Sequence, residues 1–202
     1  VAATEHLEVE VKFWLPDLAG LRAQLLAVGA QLVKPRVFER NLRLDTPDER
    51  LLQQQQLLRL RQDTAVRLTF KGEDEAAQLL SEAKVREELE MEVGDLDTAV
   101  RIFTRLGFVP VQVYEKYRET FQWQGVEIVL DELPYGNFVE LEGEESAIKQ
   151  VAQQLGLPWE RRVVDNYLNL MARLQQQAQL PFRDLTFANF ATVDVSIAAV
   201  LE

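Results

Sequence analysis

The chain has no cysteine and a single histidine, His6, among its 202 residues. Without cysteine there is no disulfide framework and no thiolate-bound zinc. One histidine leaves no histidine-based triad and no His-rich metal centre. Cations are also in deficit: 22 Lys and Arg face 33 Asp and Glu, for a formal net charge of −11. That balance argues against coating a nucleic acid or gripping a membrane through a polybasic patch, so any polyanion must be met by cations gathered locally. No apolar run is long enough to span a bilayer and nothing resembles a signal peptide. A cytoplasmic protein is therefore expected, although the missing cysteine does not itself decide the compartment. Position 1 is not methionine, as in a trimmed or engineered N-terminus. The chemistry left available is that of carboxylates, Lys, Arg and a bound metal. With 47% hydrophobic and 27% charged residues, the chain can bury a real core in one domain or two small ones.

The stretch Leu7-Glu-Val-Glu-Val-Lys-Phe13 alternates with period two, the signature of a strand with one buried face. Glu8, Glu10 and Lys12 share the other face, about 7 Å apart along it. Neighbouring carboxylates repel unless a cation sits between them, and a hard divalent metal is the usual solution. Further strands are predicted over 37–45, 57–62, 66–71, 84–93, 111–123, 126–131 and 138–142. Helices are predicted after Asp17, which can act as an N-cap before Gly29 closes the turn, and over 95–106, 144–155 and 165–179. A short helix or turn follows Thr46-Pro47-Asp48, and an acidic surface segment covers 72–81.

Strand after strand presents apolar residues on one side and paired charges on the other: Arg59/Arg61, Arg67/Lys71, Arg86/Glu88/Glu90, Lys116/Arg118 and Glu140/Glu142. Two architectures accommodate this in an α+β chain with a mainly antiparallel sheet. An open sheet backed by helices would leave the charges in solvent. A closed eight-stranded barrel, with helices packed outside, would line its lumen with them. The barrel is the preferred reading, and such a lumen requires a polyanion and a divalent ion to pair its charges.

The order of motifs resembles the CYTH superfamily, also called triphosphate tunnel metalloenzymes. Glu8-Val9-Glu10-Val11-Lys12 looks like its ExExK signature. Leu58-Arg-Leu-Arg61, Thr69-Phe-Lys-Gly72, Arg86-Glu-Glu-Leu-Glu90, Glu115-Lys-Tyr-Arg118, Val129-Leu-Asp131 and Phe138-Val-Glu-Leu-Glu142 follow in the family's order. The resemblance spans residues 1–173 as a tunnel domain and leaves 174–202 as a C-terminal extension, expected to pack on the barrel or on a second subunit as a homodimer contact. It implies an eight-stranded antiparallel tunnel that holds a triphosphate: inorganic triphosphate, ATP or thiamine triphosphate. The class IV adenylate cyclase and thiamine triphosphatase branches look nearest. Two segments depart from them. Asn41-Leu-Arg43-Leu-Asp45 stands where an Asp-x-Tyr type segment is common, and Val163-Val-Asp-Asn-Tyr167 lacks a basic residue that some members place there.

The resemblance, together with hard-cation chemistry, makes Glu8, Glu10, Asp131, Glu140 and Glu142 the expected ligands of Mg²⁺ or Mn²⁺. Arg59, Arg61, Arg86 and Arg118 suit bidentate phosphate recognition, and Lys71 and Lys116 add compact charge. Lys12 is expected either to act as general base or to anchor the attacked phosphate, and Glu88 to hold metal-bound water or pair with an Arg. The leading expectation is a metal-dependent triphosphatase. A class IV adenylate cyclase, releasing cyclic AMP and pyrophosphate from ATP, is the alternative, and a non-catalytic polyphosphate-binding module is the third.

Overall fold

The computed structural model describes residues 7–73 and 78–201. Its eight strands are β1 (Leu7–Leu15), β2 (Gln31–Asp45), β3 (Leu57–Gln62), β4 (Val66–Glu73), β5 (Lys84–Val93), β6 (Val109–Trp123), β7 (Val126–Leu133) and β8 (Gly136–Glu142). They close in the order β1-β5-β4-β3-β2-β6-β7-β8. The closed alternative is therefore the observed one, with helices outside the ring. Residue contacts divide the chain into two compact units, one of 39–114 with the start of β1, the other of 9–38 and 115–201.

In the first unit, alternation does what the sequence predicts. Leu42 and Leu44 of β2 lie opposite Leu60 and Leu58 of β3. Helix α3 (Leu96–Arg105) presses Ala99, with Leu96, Val100 and Phe103, onto that leucine face. Asp95 caps this helix by accepting a hydrogen bond from the Thr98 N–H at 2.7 Å. Asp45, at the end of β2, accepts from the N–H groups of Thr46, Leu51 and Leu52 and ties down the turn that carries α2 (Arg50–Gln53).

In the second unit, Val11 and Phe13 of β1 pair with Leu141 and Val139 of β8, all buried. Helix α1 (Leu18–Ala27) packs on β8, and α4 (Glu145–Gln154) packs on β7 and β8. Asp17 is the N-cap expected, accepting from the Ala19 and Gly20 N–H groups at 2.8 and 3.1 Å. Gly29 follows the helix at φ +79°, a left-handed turn that suits glycine.

β2 begins at Gln31, six residues before its predicted start, and runs through Pro35. The early residues are mostly exposed; a proline is tolerated in a strand where its missing N–H breaks no buried ladder bond. Part of the predicted acidic segment, 74–77, lies outside the described residues. After α5 (Tyr167–Ala178), the chain forms two single turns, α6 (Phe187–Phe190) and α7 (Ala198–Leu201). Leu185 and Ile197 are fully buried. The Glu115 N–H donates to the Leu185 carbonyl at 2.8 Å and the Ile197 N–H to that of Tyr135 at 2.9 Å. The Phe187 ring lies 5.3 Å from that of Tyr117.

Candidate functional site

Antiparallel register decides which charges meet, because directly opposed residues project from the same face. In the first unit, Arg59 lies opposite Thr69, which lies opposite Glu90. Arg61 opposes Arg67, and Lys71 opposes Glu88. Arg59 donates to the Tyr114 hydroxyl and to Thr69 Oγ1, both at 3.1 Å, and Thr69 donates onward to Glu90 at 2.9 Å. Arg61 donates to the same Glu90 carboxylate at 3.1 Å. Lys71 Nζ lies 2.5 Å from Glu8 Oε2 and 3.0 Å from Glu88 Oε2, with Arg86 4.0 Å from Glu8. Burial opposes ionisation of Glu88, yet Lys71 beside it, with Arg59, holds its carboxyl below the usual range. Burial likewise works against the charge of Arg59, but Tyr114, Glu88 and Glu39 around it raise its pKa. This unit thus carries Arg59, Arg61, Lys71 and Arg86 beside hydroxyl and carboxylate partners.

The second unit holds a denser cluster. Lys12 opposes Glu140 across β1 and β8. Its ammonium, 2% exposed, lies 3.5 Å from Glu10 Oε1 and 3.6 Å from Glu140 Oε1. Arg118 donates to both oxygens of Asp131, at 2.7 and 2.6 Å, and to Glu140 at 2.5 Å. Lys116 donates to Asp131 at 2.9 Å. Burial and the neighbouring Asp131 push the Glu140 carboxyl up, but Arg118, Lys12 and Lys116 outweigh them and hold it at about 2. Glu142, half-buried, is the register partner of Glu10 on one side and Glu127 on the other.

Tyr167, at the first turn of α5, completes this cluster. Asn166 caps the helix through the Asn169 N–H, and the Val163 N–H donates to the Lys12 carbonyl at 2.7 Å, stitching the preceding segment to β1. The phenol donates to Asp131 Oδ2 at 3.0 Å. Its ring lies against Phe138 and 5.3 Å from each of the Lys12 and Lys116 ammonium groups. Burial, then Asp131 and Glu140, raise the phenol's pKa well above its ordinary value, so it remains a proton donor. Sequence periodicity had no means of marking this residue: a tyrosine on a helix's buried stripe looks like core packing. Tyr114 was not marked as a support either, while Thr69 and Glu90 stood on charged faces without a partner that the sequence could name.

Glu10 and Glu140 flank the Lys12 ammonium. Mg²⁺ commonly takes one or two carboxylates and completes its shell with water and phosphate, so such a carboxylate pair suits a small hard cation. Among the described residues, no three acidic or histidine side chains come together as a ready-made cage. Asp131 has both oxygens engaged by Lys116, Arg118 and Tyr167, as Glu140 has its two by Lys12 and Arg118.

The model of the CYTH domain family matches residues 6–158. The chain belongs to this family. A protein of Methanocaldococcus jannaschii named "Putative adenylate cyclase" is 29% identical over 146 residues, 71% of this chain and 81% of that protein. Among solved structures, a "putative adenylate cyclase" from Vibrio parahaemolyticus superposes with a TM-score of 0.71 at 22% identity, covering 83% of this chain and 98% of its own. A Hippeastrum protein, whose published description is a putative adenylyl cyclase with a dominant triphosphatase activity, gives a TM-score of 0.58 at 20% identity over 80% of this chain and 91% of its own. No helix among the described residues is long and apolar enough to cross a membrane.

Proposed function

We propose that this protein is a divalent-metal-dependent triphosphatase that hydrolyses inorganic triphosphate or a small organic triphosphate. The observation that carries the reading is the pairing of Glu10 and Glu140 around the Lys12 ammonium, beside the clamped pair Lys116 and Arg118. Buried charges held this way are costly by themselves, and a phosphate chain with its metal is the ligand that offsets them. Arg59, Arg61, Lys71, Arg86, Lys116 and Arg118 bind phosphate oxygens. Phosphoryl transfer asks the protein mainly for positioning and charge neutralisation, which is what these residues supply. Glu10 and Glu140, with Glu8 and Glu142 as the further carboxylates, would hold Mg²⁺ or Mn²⁺, which when bound neutralises phosphate charge and lowers the pKa of water. Lys12, flanked by carboxylates, anchors the attacked phosphate. Glu88, held ionised by Lys71, orients water or keeps Lys71 in place. Asp131 acts through the cations it grips. A cytoplasmic setting belongs to the same proposal.

The Hippeastrum neighbour's described triphosphatase activity favours this reading by analogy. The names of the Methanocaldococcus and Vibrio proteins favour a second, ATP cyclisation. Phosphorus NMR of the protein given inorganic triphosphate and ATP in parallel, with Mg²⁺ and then Mn²⁺, separates the two. Orthophosphate released from triphosphate supports the hydrolase. Pyrophosphate and cyclic AMP from ATP would replace it by the cyclase, and tight binding without turnover would leave a polyphosphate-binding module.

A further inference from the structure

Five buried side-chain nitrogen and oxygen atoms on neighbouring positions of β2 and β3 have no hydrogen-bond partner among the described residues. In the β2–β3 register Asn41 opposes Arg61 and Arg43 opposes Arg59, so the four side chains form a two-by-two block on the charged face of the first unit. Asn41 is fully buried and Arg43 is 3% exposed. Neither the amide nitrogen nor the amide oxygen of Asn41 is paired, and the Nε–H groups of Arg43, Arg59 and Arg61 are orphaned too. The guanidinium groups are nevertheless not loose. Each is clamped by its terminal nitrogens: Arg43 to Glu49 at 2.5 Å, Arg59 to Tyr114 and Thr69, and Arg61 to Glu90. The clamps fix three planar donors and leave the buried Nε–H of each unused.

We infer that Asn41 and Arg43 extend the phosphate-binding surface of β3 into a further oxyanion subsite, selective for a phosphate chain over the nucleoside part of a nucleotide. The inference rests on the proposed triphosphate reading and deepens it. Buried N–H donors left unmade are expensive, and natural proteins keep few of them without a functional reason. The block is donor-rich, with the carboxylates of Glu39, Glu49 and Glu90 balancing its guanidinium charges from the side. Only an acceptor-rich anion satisfies three guanidinium N–H groups and an amide NH₂ together. An adenine would set three guanidinium cations, two of them buried, against an uncharged ring and leave most of those donors unmade. The amide oxygen of Asn41 is served by a protonated phosphate oxygen or by water carried in with the chain.

Asn41→Leu is the decisive variant, because it removes no side-chain hydrogen bond made among the described residues and keeps the branched heavy-atom skeleton. Arg43→Lys keeps the charge and removes the Nε–H, which tests the guanidinium separately. Binding of inorganic triphosphate and of ATP would be measured calorimetrically in EDTA, and turnover of triphosphate in Mg²⁺, with a thermal melt of each ligand-free variant. The expected result for Asn41→Leu is a Kd and KM for triphosphate raised about tenfold, a kcat within about twofold, and a melting temperature equal to or above that of the parent. Arg43→Lys should weaken triphosphate binding in the same direction. Unchanged Kd and KM with a raised melting temperature would overturn the inference, leaving the amide as a tolerated packing defect. Loss of ATP affinity with triphosphate affinity intact would also overturn it, since the amide would then read the nucleoside. If the parent binds triphosphate through Asn41 but turns over none, the hydrolase reading fails and the subsite stands.

Discussion

Replacing Asp131 by Asn removes one negative charge at almost constant shape, at a site with no solvent exposure. Asp131 accepts from Lys116 at 2.9 Å, from Arg118 at 2.7 and 2.6 Å, and from Tyr167 at 3.0 Å. Arg118 retains Glu140, at 2.5 Å, so the loss falls mainly on Lys116 and on the geometry of the trio. Deleting one partner of a buried ion pair costs about 3–5 kcal/mol, because the other charge stays desolvated. With Glu140 still compensating Arg118, the lower end, about 3 kcal/mol, is expected. Urea unfolding followed by circular dichroism measures it: the midpoint should fall while the slope is unchanged. The carboxylate holds cations, so the Mg²⁺ concentration for half-maximal activity should move little while KM for triphosphate rises. A stability loss under about 1 kcal/mol would refute the electrostatic reasoning, and a large rise in the Mg²⁺ requirement with KM unchanged would return Asp131 to the metal.

Four further outcomes are expected. Glu140 has a carboxyl pKa of about 2 in the fold against an ordinary 4.5, so its contribution is complete above pH 4.5 and fades as pH falls toward 2. At about 1.4 kcal/mol for each tenfold change in acidity this amounts to roughly 3 kcal/mol; an Asn or Gln at position 140 should flatten the acid limb of a stability profile between those pH values, and an unaltered limb would contradict the assignment. Glu10→Gln keeps the hydrogen-bonding shape but removes a charge from the Glu10–Lys12–Glu140 arrangement, and should raise the Mg²⁺ requirement about tenfold in a metal titration of activity; an unchanged titration would exclude it as a ligand. Leu185→Ala, at a fully buried position, should cost about 3 kcal/mol by denaturant unfolding. Truncation after Gln179 should lower stability further or dissociate a dimer; unchanged melting and mass would show that the extension contributes neither.

Much of this site was legible because β-structure has a period of two. Glu8, Glu10 and Lys12 share a face by arithmetic, as do Arg59 and Arg61, or Glu140 and Glu142, and their charge made solvent-only explanations strained. The strands and caps around Asp17 and Asp95 were readable for the same local reasons. One element was misjudged at its edge: β2, predicted from residue 37, begins at Gln31 and passes through Pro35 on an exposed stretch. Tyr167 looked like a core aromatic and turned out to be a buried hydroxyl donor to Asp131.

By itself, then, the sequence determined the alternation, the set of charged faces and the order of motifs, since each depends on neighbours along the chain. Only the tertiary structure decided which carboxylate meets which cation. Register pairs residues far apart in sequence: Lys12 with Glu140, Lys71 with Glu88, Arg43 with Arg59. It gave Asp131 to Lys116 and Arg118, set Glu10 and Glu140 around one cation position, and left the Asn41 amide and three guanidinium N–H groups unpaired. Charge patterning along a strand is a local property, whereas pairing, burial and unmet hydrogen bonds exist only once distant strands are in contact.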